Sequence, residues 1–421
     1  MYKKILCMIT CCVISFSISG CEKNDNEKSA ENKVTIKFSW WGGESRHDKT
    51  MEAIEKFEEK YPEIKVKTEF AEWKGFNKKM SMNMDGNQEP DLMQINFDWL
   101  ENYSKDGSGF YDLNSVSDVL KLDNYSKDIL KYGTKNNVLN GIPISMNKEV
   151  MYYNKSIGKN YGIDTFNTWD ELLASRSKVT NPNEYPLELD ENSGWGLPMA
   201  YVQQKTGKDF IKEDGTLGFN EGDIRELLTF YKTLVDNKII LTAINKNVND
   251  LTDNKSVSAL SWTSDATKIQ GLMVKNNKEV GVGKFPSIDG RSSIRYVKPS
   301  MLYAISKNTE HPKEAATLLN FMLNDVEAAK ILGFDRGVPA SKSALKALED
   351  NSQLTGLQFE SNKEDSSVSE ILISPYYENT MVHNVCIDAL NKIAYGRETP
   401  EVCAKETYDN LNKDLESIRK H

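Results

Sequence analysis

Val34-Thr35-Ile36-Lys37-Phe38, followed by Trp41-Gly42-Gly43-Glu44, decides how this chain is read. The first five residues alternate apolar and polar as a half-buried strand does, and the glycine pair then breaks the strand into a loop. From Asp48 the period changes to 3.6, with Met51, Ile54, Phe57 and Tyr61 on one face, until Pro62 ends the helix. Ile64, Val66, Thr68 and Phe70 alternate again, so the segment is a βαβ unit. Working outward, Trp73, Phe76, Met80 and Met84 mark a helix, and Pro90-Asp91-Leu92-Met93-Gln94-Ile95 reads as a buried strand feeding Asn96 to Leu100.

The same alternation of elements continues with other residues. Ile142 to Ile144, Val150 to Tyr153, Val257 to Leu260, Val280 to Phe285 and Met301 to Ile305 read as strands. Thr168-Trp169-Asp170-Glu171 has the spacing of a capping box. Ile224, Leu227, Leu228, Tyr231, Leu234 and Val235 form a strongly amphipathic helix, Pro312 starts another, and the tail from Tyr376 is helical. The polar stretch Asn351 to Ser369 reads as a mobile loop. Strands interleaved with helices predict an α/β fold with open sheets and flanking helices.

The first residues form an address. Lys3 and Lys4 precede a fourteen-residue apolar run, Ile5 to Ile18, too short for a bilayer span of ~20 residues. Ser19-Gly20-Cys21 closes it, and these small residues before a cysteine are similar to the lipobox of bacterial lipoproteins. That resemblance implies an acylated Cys21, palmitate being the type of chain added, cleavage after residue 20, and a membrane-anchored, extracytoplasmic protein. Residues 21–32 are charged and amide-rich, which suits a flexible tether.

The chain has 53 basic and 62 acidic side chains; loss of residues 1–20, with two lysines and no acid, moves the formal charge from −9 to −11. An evenly mixed acidic surface argues against nucleic acid and against a polybasic membrane patch. Roughly 390 remaining residues suffice for two domains. Of six cysteines only Cys386 and Cys403 lie beyond Cys21. Their positions either side of the turn at Gly396 to Pro400 suit two buried, unbridged thiols, and two ligands do not make a zinc site. No cofactor or metal is expected.

Phe38-Ser39-Trp40-Trp41-Gly42-Gly43-Glu44-Ser45-Arg46-His47, Ala53 to Pro62, Pro90 to Gln94, Tyr152-Tyr153-Asn154-Lys155, Thr168 to Glu171, Ala259-Leu260-Ser261-Trp262 and Arg336-Gly337-Val338-Pro339-Ala340 occur in an order that resembles the bacterial extracellular solute-binding proteins of family 1, receptor subunits of carbohydrate ABC importers. The first block is most similar to members that carry plant-type or host oligosaccharides, oligogalacturonide binders among them. The resemblance implies a two-lobe periplasmic-binding-protein-like fold closing on a ligand at a hinged cleft. Residues 33–143 plus 301–340 would form the first lobe, and 144–300 plus 341–421 the second. It implies a monomer that captures a carbohydrate and delivers it to the importer's permease subunits, and no enzymatic activity.

In open α/β sheets, ligands sit beyond the carboxyl ends of strands. That rule selects Trp41, Gly43, Glu44, Arg46 and His47 after the first strand, with Trp40 assigned to the core beside Phe38 and Ile36. It selects Gln94, Asp98 and Trp99 after the strand opened by Pro90, and Trp262 with Asp265 after the strand through Leu260. Trp195 between two glycines joins them, as does Arg336 from its block. Gln94 could bind ligand or brace its loop, and Arg336 could bind ligand or form an interlobe salt bridge. Trp73 could start a helix or line the cleft, and Trp169 belongs to the capping box. Aromatic rings offer a flat face to pyranose C–H groups, and acids, amides and arginines bind hydroxyls. A secreted glycosidase or lyase is the rival reading, since a pair of carboxyls suffices for glycoside hydrolysis. A third keeps the fold but changes the cargo to a polyamine, metal or anion.

Overall fold

The computed structural model describes residues 33–190, 193–241 and 249–420. The export signal, Cys21 and the tether therefore lie outside the described residues. Among those described, no helix is long and apolar enough to cross a membrane.

Among the described residues eleven strands run in chain order: β1 Val34–Trp41, β2 Ile64–Ala71, β3 Leu92–Ile95, β4 Thr134–Lys135, β5 Val138–Leu139, β6 Ile142–Asn154, β7 Tyr185–Glu188, β8 Ser256–Trp262, β9 Val280–Gly283, β10 Ser293–Ile305 and β11 Val368–Leu372. β4 and β5 form a separate hairpin. The others pair in the order β2-β1-β3-β10-β6-β8-β7, with β11 added on β10 and β9 on β6. β1 is parallel to β2 and to β3, as the βαβ reading requires.

The helix between β1 and β2 spans Glu44–Lys60 and buries Ala53, Ile54 and Phe57. In β1, Ile36, Phe38 and Trp40 point into one layer, while Ser39 and Trp41 are buried on the other under helix Trp73–Asp85. Alternation is lost at that end because a central parallel strand is covered on both faces.

Among the described residues two smaller clusters and two large hydrophobic cores result. One draws on residues from Ile36 to Ile144 and from Met301 to Ala328. The other draws on residues from Met151 to Tyr296 and from Ile373 to Leu415. β6 and β10 run through both: each is thirteen residues long, and they pair antiparallel with an irregularity between Pro299 and Leu302. The sequence reading has two short strands where β6 is continuous, and only Met301 to Ile305 where β10 begins at Ser293. Both differences have one cause. The polar intervals Ser145 to Glu149 and Lys298 to Ser300 lie where the strands leave one core and have not entered the other, so they keep strand geometry without an apolar face.

A third segment meets them at the crossing. Ala340 N–H donates to Ile144 O at 2.9 Å, and the Ser145 hydroxyl bonds to Arg336 O. Gly337 has φ +98°, and a Cβ there would sit 2.3 Å from Ser145 Oγ and 2.9 Å from Ser145 Cβ. Gly337→Ala should therefore cost about 1–3 kcal/mol in urea unfolding. An unchanged midpoint would show that this crossing tolerates a side chain.

Asn351 to Ser369 is not one loop. It contains helix Gly356–Asn362 and the start of β11, and Leu357 is buried beside Ala266 and Ile269. One apolar anchor on so short a helix leaves little periodicity to read. The tail forms two helices, Thr380–Ala394 and Pro400–Lys420, in which Cys386 and Cys403 are buried free thiols. Thr168 caps its helix through Glu171 N–H at 3.1 Å, while the Glu171 carboxylate takes Asn167 N–H rather than closing the box on Thr168.

Candidate functional site

β8 ends at Trp262, directly across from Glu149 in the β6 ladder. The pairing brings an indole and a carboxyl to the mouth of one crevice of about 410 Å³. Asn147 fixes the next turn: its Oδ1 accepts from Thr263 Oγ1 at 2.9 Å and from Ser264 N–H at 3.0 Å. Asp265 then faces the crevice and accepts from Ser261 Oγ at 2.6 Å. β10 contributes Lys298, and the far wall comes from Tyr377, Glu378 and His383.

Trp262 is 9% exposed and therefore gives the crevice a narrow apolar wall. The Lys298 ammonium lies 4.6 Å from its ring centroid and 2.6 Å from the Glu378 carboxylate. Glu149 is 1% exposed, and its Oε1 has no hydrogen-bond partner among the described residues. Burial raises its pKa well above the usual carboxylate range; Asp190 and Glu378 add to that, and Lys298 opposes it. Gly196 leaves room for this carboxyl, since a Cβ there would stand 3.0 Å from Oε2. A buried carboxyl oxygen without a partner among the described residues is an atom available to a ligand hydroxyl.

Asp98 is the candidate from the other core that senses this crevice. Asn96 donates to it at 2.7 Å, yet burial, with the Glu378 charge adding, pushes its pKa up to about 6 against the pull of Lys298. The sign of the consequence is definite. A carboxyl whose folded pKa exceeds its unfolded ~3.9 stabilises the fold at low pH and loses that contribution as pH rises through ~6. His47, whose pKa burial lowers, acts oppositely, so the difference between parent and variant isolates Asp98. Asp98→Asn should be more stable than the parent by roughly 1–2 kcal/mol at pH 7.5, with the gap shrinking as pH falls from ~6 and closing towards ~4. A gap independent of pH would remove Asp98 from this electrostatic field.

The remaining sequence candidates fall elsewhere. Trp41 packs against Trp73 and Phe76 at 4.9 and 5.4 Å, and Trp99 stacks on Phe76. Of that cluster Trp73 is the exposed ring, at 41%. Gln94 is fully buried: its amide donates to Trp41 O at 3.2 Å, and its carbonyl accepts from Arg336 Nε at 3.0 Å. Arg336 Nη2 donates to Thr50 Oγ1 at 2.8 Å. Arg46 donates to the carbonyls of Trp41 and Asp335, and burial, with Arg336 adding, lowers its pKa to about 10. His47 accepts from Trp40 Nε1 at 3.1 Å and stacks on Phe70. These side chains together brace the loop after β1. Gly43 and Glu44 remain exposed at the start of the helix that follows. Trp195 is fully buried against Phe210, so it is the adjacent Gly196 that touches the crevice.

Asn147, Glu149, Lys298, Tyr377, Glu378 and His383 were not among the sequence candidates. The one signal for the first three was the polar interval inside each long strand. A larger hollow of about 800 Å³ shares Ile373 and Tyr377 with the crevice, and takes Phe97 and Glu101 from one core and Phe210 and Tyr296 from the other. Among the described residues no group of three or more His, Cys, Asp or Glu could hold a metal ion.

Residues 52–356 match the family described as bacterial extracellular solute-binding protein. The multiple sugar-binding protein of Streptococcus mutans is 25% identical over 76% of this chain and 78% of its own length. Curated relatives are matched over 45% to 85% of their lengths. Among solved structures, a periplasmic oligogalacturonide-binding protein from Yersinia enterocolitica, in complex with saturated digalacturonic acid, is 30% identical with a TM-score of 0.81, covering 92% of this chain and 100% of that one. A de novo designed esterase has a TM-score of 0.85 at 30% identity, again over 92% of this chain and 100% of that one.

Proposed function

We infer, since the chain belongs to the bacterial extracellular solute-binding proteins, that it captures an oligosaccharide between two lobes and presents it to the permease of a carbohydrate ABC importer. The observation that carries this reading is the crevice beside the crossing strands β6 and β10, lined by residues 147–298 and 373–383 of the second lobe. There Trp262 supplies an apolar wall, Glu149 a buried carboxyl with an unused oxygen, and Asp265 and Lys298 further hydrogen-bonding groups. Asp98, which feels the charges of Glu378 and Lys298, and the exposed Trp73 are the first-lobe groups that closure would bring towards the crevice.

Three strand-like crossings make a hinge. A sugar that touches both lobes favours the closed arrangement only by the extra contacts made there. The lobes are taken as 33–143 plus 301–340 and 144–300 plus 341–421. Export, acylation of Cys21 and a monomeric, lipid-anchored state outside the cytoplasm complete the proposal. The names of the relatives support binding rather than turnover, and the esterase likeness is to an engineered scaffold.

Glu149 and Asp265 lining one crevice are also the two carboxyls a glycosidase would use, and one experiment separates the readings. Labelled oligosaccharides are first ranked by the rise in melting temperature they cause, since a ligand at 100 times its Kd stabilises the native state by ~2.7 kcal/mol. The best is then incubated for hours. Recovery of intact sugar in stoichiometric complex supports the receptor; shortened products would refute it.

A further inference from the structure

Resting on the sugar-receptor reading above, we propose that this crevice selects uncharged oligosaccharides and rejects uronic ones, with Glu378 and Asp265 as the discriminating residues. This separates the chain from the oligogalacturonide-binding protein it resembles.

A site for a uronate needs cationic charge that faces the ligand and is not already matched, and a planar guanidinium serves best. The arginines that could serve here are turned inward. Arg336 is 5% exposed and spends Nε and Nη2 on Gln94 and Thr50, while both Nη groups of Arg46 bond backbone carbonyls; Arg336 Nη1 and Arg46 Nε are buried without a partner among the described residues. Neither lines the crevice. Among the described lining residues Lys298 is the sole lysine or arginine. Its charge is matched by Glu378 at 2.6 Å, and its ammonium rests over Trp262.

The acids outnumber it. Glu149, Asp265 and Glu378 all line the crevice, and the Asp98 carboxyl already feels Glu378 as a like charge. A uronate carboxylate entering here meets Asp265 and Glu378, and it would also drive Glu149 further towards its protonated form. Neutral hydroxyls meet the opposite situation. Each carboxylate accepts from a hydroxyl, and Glu149 Oε1, which has no hydrogen-bond partner among the described residues, offers one more polar atom to a sugar oxygen.

The test is titration calorimetry on the protein at pH 7, in low and in high salt. The probes are neutral gluco-, xylo-, arabino- and galacto-oligosaccharides set against oligogalacturonides and aldouronic acids of matched length. The expected result is at least tenfold tighter binding of the best neutral sugar than of any uronic one. Weak uronate binding should strengthen severalfold in Glu378→Gln, which frees Lys298, and in Asp265→Asn as an independent variant. Equal or tighter binding of a uronic oligosaccharide, weakening as salt rises, would overturn the selectivity while leaving the receptor reading intact. If neither class binds, the sugar-receptor reading itself fails and the selectivity falls with it.

Discussion

Trp262→Ala should lower the affinity for the bound oligosaccharide by at least ~30-fold, about 2 kcal/mol, a loss typical of truncating a central aromatic at a binding site. Two contributions disappear together. One is the apolar wall of the crevice; the other is the surface that holds the Lys298 ammonium beside Glu378. The ring is mostly buried in the core that holds Leu260 and Phe285, so truncation also costs stability, on the order of 3–5 kcal/mol. Calorimetry must be done well below the variant's melting temperature. Trp262→Phe keeps an aromatic wall and should bind with a smaller loss. An alanine variant that stays folded and binds as tightly as the parent would exclude Trp262 from the site.

Arg336→Met should show the reverse pattern, with a large effect on stability and a small one on affinity. Methionine keeps most of the apolar volume, but the Gln94 carbonyl and the Thr50 hydroxyl lose their donor in a buried position. Thr50 keeps its bond to Arg46 O, so the Gln94 carbonyl is the group left unsatisfied, at a cost of roughly 1–3 kcal/mol. Urea denaturation measures it. A loss below ~1 kcal/mol would mean that the brace linking β3, the helix after β1 and the 334–340 segment contributes little. A large loss of sugar affinity in folded protein would instead return Arg336 to the ligand.

These two residues illustrate what the sequence made legible. Trp262 could be picked because its signal is local: an apolar strand, an aromatic at its carboxyl end, then Thr263-Ser264-Asp265. The βαβ unit from Val34 to Phe70 was readable for the same reason, since strand and helix periods change within the segment and Pro62 marks the boundary. Gln94 and Arg336 carry no comparable signal. Both readings of Gln94 were open from the sequence, and it braces because Arg336, 242 positions away, points at it. That pairing is a property of the fold.

The crossing strands show a different limit. Asn147, Glu149 and Lys298 sit in polar intervals that single-chain patterning assigns to loops, because alternation is visible only where one face of a strand is buried. Here the strand crosses a gap between cores, and what interrupts the apolar pattern is the set of residues that line the crevice. Glu378 and His383 were passed over because they begin a helical tail whose other positions are ordinary packing.

The most direct measurement is a crystal structure of the protein with the oligosaccharide that raises its melting temperature most. The account predicts a sugar lying in the crevice against Trp262, with hydroxyls on Glu149 and Asp265 and at least one contact to Asp98 or Trp73 of the opposite lobe. A sugar bound elsewhere, with Glu149 still unpartnered and Trp262 untouched, would contradict it.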